Sequence, residues 1–206
     1  MNRPKITTES AARLSRRAFT FGLPLFAAGC VTSNYGYMSD GGHSISAVDN
    51  VDPSLVRTEV AWTGNEKPGT VVVNIGQRRL YLVQGGGRAL RYGVGVGRTE
   101  AANFRGTAVI GRKERWPRWT PTANMIAAIP RYRAYAGGMA GGPDNPLGPR
   151  ALYLYRNGQD TYFRLHGTIE PETIGTAVSS GCIRLFNQDI IDLYERVPLG
   201  ATVKVV

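Results

Sequence analysis

From Thr70 onward the sequence breaks into short β-rich runs between glycine and proline turns, which leaves little room for any architecture but packed or curled sheets. Runs at 70–75 and 79–83 flank Gly76-Gln77-Arg78, and Gly85-Gly86-Gly87 turns the chain into 89–96. Further runs lie at 107–112, 151–156, 162–166 and 201–206. Apolar and polar residues alternate in Leu80-Tyr81-Leu82 and Thr202-Val203-Lys204-Val205, the period of half-buried strands. One helix stands out near the C-terminus. Asn187 is its expected N-cap, Ile190, Ile191, Leu193, Tyr194 and Val197 share one face, and Pro198 stops it. The pattern predicts a mainly β domain, a sandwich or barrel-like fold with one clear helix, of about 140 residues over 68–206.

Within that domain, Ser179-Ser180-Gly181-Cys182-Ile183-Arg184 sets a thiol in a tight turn, and His166-Gly167-Thr168 lies sixteen positions upstream of it. A thiol attacks as thiolate, and a neighbouring imidazole is the usual means of making one near neutral pH. Activation of this kind predicts a Cys182 pKa below the free value of about 8.5. Backbone N–H groups of Ser180, Gly181 and Cys182 can converge on one point and hold an oxyanion. Ser179 is expected to brace the turn or to bond the imidazole, and Gly167 to let the backbone pass close to the site. The competing reading is a buried structural cysteine and a core histidine. Ser-Ser-Gly on one side of the thiol and an arginine two residues beyond argue against it.

Other chemistries fall away. A zinc peptidase needs about three protein ligands, and the chain has two histidines, His43 and His166, with no HExxH helix. SxxK and Gly-x-Ser-x-Gly nucleophile motifs are missing. Gly93-Val94-Gly95-Val96-Gly97 lacks the third glycine of a dinucleotide fingerprint and reads as strand and turn. Cysteine acyl transfer remains, and it calls for no metal or organic cofactor.

Residues 1–30 read as an export signal. Ser15-Arg16-Arg17-Ala18-Phe19 is close to a twin-arginine motif, with Arg16 and Arg17 as its pair, and Thr20 departs from it. The apolar run 18–29 is too short for a membrane span but suits a signal h-region. It ends in Ala27-Ala28-Gly29-Cys30, which resembles a lipobox, so Cys30 is the expected lipidation site; the alternative is an ordinary cleaved signal. With Cys30 acylated, Cys182 has no disulfide partner, and a lone thiol kept in an oxidising compartment favours a nucleophilic role. A Cys30–Cys182 disulfide would require an uncleaved N-terminus. Arg3, Lys5, Arg13, Arg16 and Arg17 against Glu9 hold +4 of the formal +10, leaving +6 after cleavage. That excess suits a polyanionic cell wall, and no motif supports nucleic acid. Residues 31–67, rich in Ser, Gly, Asn and Asp, read as a partly flexible tether in which His43 is a solvated loop residue, with 54–62 positioned to pack on the domain.

His-Gly-Thr followed by Ser-x-Gly-Cys-Ile-Arg resembles the signature of the L,D-transpeptidases with a YkuD-type catalytic domain, in their periplasmic branch. Gly142-Pro143-Asp144-Asn145-Pro146-Leu147-Gly148, Trp119-Thr120-Pro121 and the paired runs 71–75 and 80–83 are similar to segments of that family. Many members carry His where this chain has Ser180. The resemblance implies a YkuD-type fold and a reaction on peptidoglycan stem peptides. Cys182 would attack the third residue of a tetrapeptide stem, His166 would serve as general acid and base, and D-Ala would leave. The thioester would pass to an amine on a second stem or on an envelope protein. Arg184 is a candidate for a substrate carboxylate or for an ion pair with Asp189. The loop 137–143 is expected over the cleft, and Trp116 and Trp119 either line a groove or pack beneath a loop. The expected location is the periplasm of a Gram-negative-type envelope, with a lipid anchor in the membrane. Two alternatives stay open: a non-catalytic peptidoglycan-binding lipoprotein, and an L,D-carboxypeptidase that uses water.

Overall fold

The computed structural model describes residues 34–206; the export signal, Arg16, Arg17 and Cys30 lie outside them. The chain opens with Met38–Asp40 (β1), His43–Ile45 (β2) and Thr58–Ala61 (β3). Val71–Asn74 (β4), Arg79–Val83 (β5), Arg88–Gly93 (β6), Val96–Gly97 (β7) and Gly106–Arg115 (β8) follow. The short helix Ala123–Ala128 (α1) and a 3-10 helix, Pro130–Tyr135, interrupt the strands before Arg150–Arg156 (β9) and Gln159–His166 (β10). Ala177–Ser179 (β11), Ile183–Arg184 (β12), Asn187–Arg196 (α2) and Thr202–Val205 (β13) complete the order.

Nine strands form one sheet in the order β12-β10-β9-β8-β13-β4-β5-β6-β3. Pairing is parallel at β10/β12 and β13/β4 and antiparallel elsewhere. The expected mainly β domain is therefore present, but its strands do not close into a barrel: the ladder runs from β12 to β3 without a pairing of those two. Backbone bonds between Gly95 and Arg184, 2.9 Å in each direction, bring the chain after β6 beside β12 and curl the sheet. Strand alternation builds the core: Leu80 and Leu82 of β5 and Val203 and Val205 of β13 point inward, while Thr202 and Lys204 face out. α2 lays Ile190, Leu193 and the following Val197, all fully buried, against that core, as the 3.6-residue period requires. Its N-cap position is Phe186 rather than the expected Asn187, which is already the first helical residue and points its side chain elsewhere.

The segment expected as a tether departs from that reading. β1 and β2 form a hairpin, β3 adds to the sheet beside β6, and Tyr35, Ile45 and Val51 are buried. Tyr35 and Val51 join Ile174 and Phe186 in a second apolar cluster beneath the start of α2. Asp40 makes a two-pronged ion pair with Arg150, 2.6 and 2.7 Å, in which the guanidinium is almost wholly buried. His43 is half-buried and stacks on Trp116 with ring centroids 4.4 Å apart. These anchors are single residues set among polar ones with no period, so they bury only by docking on a surface that the rest of the domain supplies.

Candidate active site

The parallel pairing of β10 with β12 sets Leu165 opposite Ile183 and His166 opposite Arg184. Side chains alternate across a strand, and Leu165 and Ile183 point into the core. Arg164 and His166 therefore share the other face with Arg184 and with Cys182, which immediately precedes β12. All four line one cavity of about 500 Å³, with Trp119, Met125, Tyr132, Pro146, Leu147, Tyr162, Ser179 and Ser180 among its walls. The two groups singled out in the sequence line one cavity because two strands are in register.

His166 is buried, and its Nδ1 lies 2.6 Å from the carbonyl oxygen of Gly167. A carbonyl only accepts, so Nδ1 carries the proton and Nε2 keeps a free lone pair. Burial, then the positive charge of Arg184, pushes the imidazole down to about 4, so it is neutral near pH 7. Cys182 is half-buried, with Sγ 4.0 Å from the carbonyl of Tyr162. Burial pushes its thiol up, and the charges of Arg164 and Arg184 offset that only in part. This differs from the expected depression of the thiol pKa. A buried imidazole that cannot hold a proton at rest offers no cation to stabilise a thiolate, so the resting pair is thiol and neutral imidazole.

Gly181 has φ 132°, a region that disfavours any side chain. Ser179 Oγ accepts from Gly181 N–H at 3.0 Å and donates to the Cys182 carbonyl at 2.7 Å. Of the two roles foreseen for Ser179, the bracing of the turn is the one present. That bond also occupies the Gly181 N–H, which corrects the expected oxyanion site. Among the described residues, the N–H groups of Ser180 and Cys182 donate to no protein acceptor and remain available.

The sequence model of the YkuD family, described as the L,D-transpeptidase catalytic domain, matches residues 68–205. The chain belongs to this family. It is 38% identical over 163 residues to YbiS of Escherichia coli K12, named as a probable L,D-transpeptidase. That match covers 75% of this chain and 48% of the relative, so the chain spans about half the length of this curated relative. A solved Brucella melitensis structure, described as a probable carnitine operon oxidoreductase, is 48% identical, with a TM-score of 0.52 over 73% of this chain and 93% of that one. A cysteine mutant of the Enterococcus faecium L,D-transpeptidase shares the fold at 14% identity, with a TM-score of 0.51 over 68% of this chain and 50% of that one.

Other features of this YkuD domain were only partly visible in its sequence. Arg184 does form an ion pair, but with Glu170 at 2.6 Å and not with Asp189. Asp189 is instead buried on α2, where it accepts from Tyr35 Oη at 2.6 Å. Gly167 leaves room for the Oδ1 of Asn187 and for Pro149. Trp119 is buried in the cavity wall, and its backbone pairs with that of Met139 from the glycine-rich loop. Arg164 was not singled out, although its place two residues before His166 in a strand puts it on the same face; it bonds Asp160 at 3.1 Å and stacks over Tyr153. Tyr162 gave no sequence signal. It has φ 63° at a register shift of β10 and lines the cavity while 79% exposed.

Proposed function

We propose that this chain is a peptidoglycan L,D-transpeptidase that acts through a thioester on Cys182. The observation that carries the reading is that His166, with Nδ1 held by the Gly167 carbonyl, lines the same cavity as the Cys182 thiol. Cys182 Sγ attacks the carbonyl of the third residue of a stem tetrapeptide as Nε2 takes the thiol proton. Both partners start neutral, so proton transfer accompanies attack. The N–H groups of Ser180 and Cys182 hold the oxyanion. The C–N bond to D-Ala then breaks, and the imidazolium returns its proton to the departing amine. In the second half an acceptor amine attacks the thioester, His166 takes its proton, and the thiolate leaves and is reprotonated. The acceptor is the side-chain amine of a second stem or an amine of an envelope protein.

Two features support a two-substrate reaction with peptides that bear carboxylates. Arg164 and Arg184 place two guanidinium groups at the cavity. An adjoining cavity of about 290 Å³ shares Trp119, Tyr132, Pro146 and Arg184 with the first, so donor and acceptor can approach one thioester from two sides. Nicotinamide chemistry, as in the description of the Brucella melitensis relative, finds no support in the glycine-rich stretch 93–97. That stretch runs from β6 into β7 and a single 3-10 turn, without the long helix whose N-terminus a pyrophosphate needs. The twin-arginine-like signal and Cys30 place the enzyme in the periplasm on a lipid anchor in this reading.

The test is to incubate the domain with a stem tetrapeptide and weigh it. The expected product is an adduct equal to the tripeptide acyl group, with free D-Ala released. Cys182→Ala should abolish both; turnover by that variant would overturn the cysteine mechanism. Adding a diamino acid should discharge the adduct into a new amide, whereas discharge into water alone would favour a carboxypeptidase.

A further inference from the structure

Asn187 turns its side chain away from its own helix, and its Oδ1 accepts from the Thr168 N–H at 2.8 Å. That N–H belongs to the same planar peptide unit as the Gly167 carbonyl, and the two groups point in opposite directions. The Gly167 oxygen is the acceptor for His166 Nδ1 at 2.6 Å. One end of this peptide therefore faces the imidazole and the other faces Asn187. The preceding peptide is already committed at both ends: Leu185 N–H donates to the His166 carbonyl at 2.9 Å, and Gly167 N–H donates to Arg150 O at 3.3 Å.

The orientation of this peptide sets the partner of Nδ1 and with it the ring nitrogen that carries the proton; the Leu147 backbone also faces the ring. A half-turn would present the Thr168 N–H to Nδ1, make Nδ1 an acceptor and move the ring proton to Nε2. Nε2 is the atom that must receive the Cys182 proton. Glycine at 167 puts no Cβ in the way of the ψ change this rotation needs, while the accompanying change of φ at Thr168 works against its β branch. The same glycine is also required for the lock, since a Cβ there would overlap Asn187 Oδ1. The start of α2 is itself held firmly: Tyr35 Oη donates to Asp189 at 2.6 Å, and Gln188 Nε2 donates to the carbonyls of Gly36 and Ser46 at 3.1 and 3.0 Å.

We propose that Asn187 is a positioning residue that locks the Gly167–Thr168 peptide and, through it, the reactive tautomer of His166. The proposal rests on the assignment of His166 as the base, and its test has a readout that does not depend on turnover.

The experiment uses the full chain with His43→Asn, so that only the His166 ring contributes imidazole signals. Nitrogen-15 NMR at pH 7 should show the proton on Nδ1 in the parent. Asn187→Ala and the similarly sized Asn187→Leu should shift the proton wholly or partly to Nε2. Asn187→Asp, which keeps an acceptor for Thr168, should restore the Nδ1 tautomer. Thioester formation should fall by about 10–100-fold in the alanine and leucine variants with KM little changed, and recover in the aspartate variant. An unchanged tautomer in Asn187→Leu, or a failure of Asn187→Asp to differ from it, would overturn the lock. If the parent forms no thioester at all, the proposed function fails, while the tautomer still decides the role of Asn187.

Discussion

Cys182 and His166 are neutral for one reason: the burial that raises the thiol also lowers the imidazole. In the proposed mechanism the thiol therefore stays protonated until it attacks a substrate carbonyl and passes its proton to His166. Alkylation of Cys182 by iodoacetamide should rise with pH through the alkaline range and show no plateau of a preformed thiolate below pH 7. Removing the Arg164 charge, as in Arg164→Met, should move that profile further up in pH, because its guanidinium favours the thiolate. A profile unchanged by Arg164→Met would show that its charge does not reach the sulfur. That Cys182, His166 and the bracing Ser179 share one site was legible in the sequence because they sit in two short runs. The protonation states were not, since they depend on how deeply the fold buries those runs. Arg184 shows the same limit: its ion pair could be foreseen, whereas its partner Glu170 depends on the path of the loop between β10 and β11.

At the level of elements, the N-terminal hairpin and the β9 strand are joined by Asp40 and Arg150. Arg150 is buried, and its carbonyl accepts the Gly167 N–H, so this pair lies one hydrogen bond from the residue that follows His166. Asp40→Ala would strand a buried guanidinium and should cost about 3–5 kcal/mol, read as a lower urea midpoint with an unchanged m-value. A loss below about 1 kcal/mol would mean that the hairpin merely rests on the domain. The strands and α2 could be read from periods of two and 3.6 residues. The hairpin could not, because Tyr35, Ile45 and Val51 are isolated anchors in a polar, glycine-containing stretch that composition alone assigns to a linker. Asn187 misled in an instructive way: its type and place suggested a cap for α2, but the acceptor serves a peptide in another loop.

For the whole molecule, one buried base and one buried acid oppose each other. His166 titrates near 6.5 when unfolded and about 4 when folded, so the unfolded chain takes up its proton first and stability is lost as pH falls across that interval. Asp189 rises, mainly by burial, from 3.8 to about 7, so the native state keeps a proton that the unfolded chain releases, and stability is lost as pH rises from about 4 to 7. Between about pH 4 and 6.5 the two slopes oppose. Asp189→Asn should leave a protein that weakens on acidification, and His166→Gln one that weakens as pH rises; thermal midpoints at those two pH values measure both. Matching slopes in the two variants would show that other groups govern the acid response. The sheet order carries a different consequence, one of timing. β13 lies between β8 and β4, so synthesis must proceed through Val205 before the central ladder can form. Until then β4 and β8 each have an open edge, and the two halves of the sheet have no strand between them to join them. Long-range pairing of this kind makes for slow closure and a nascent chain that stays open for most of its synthesis.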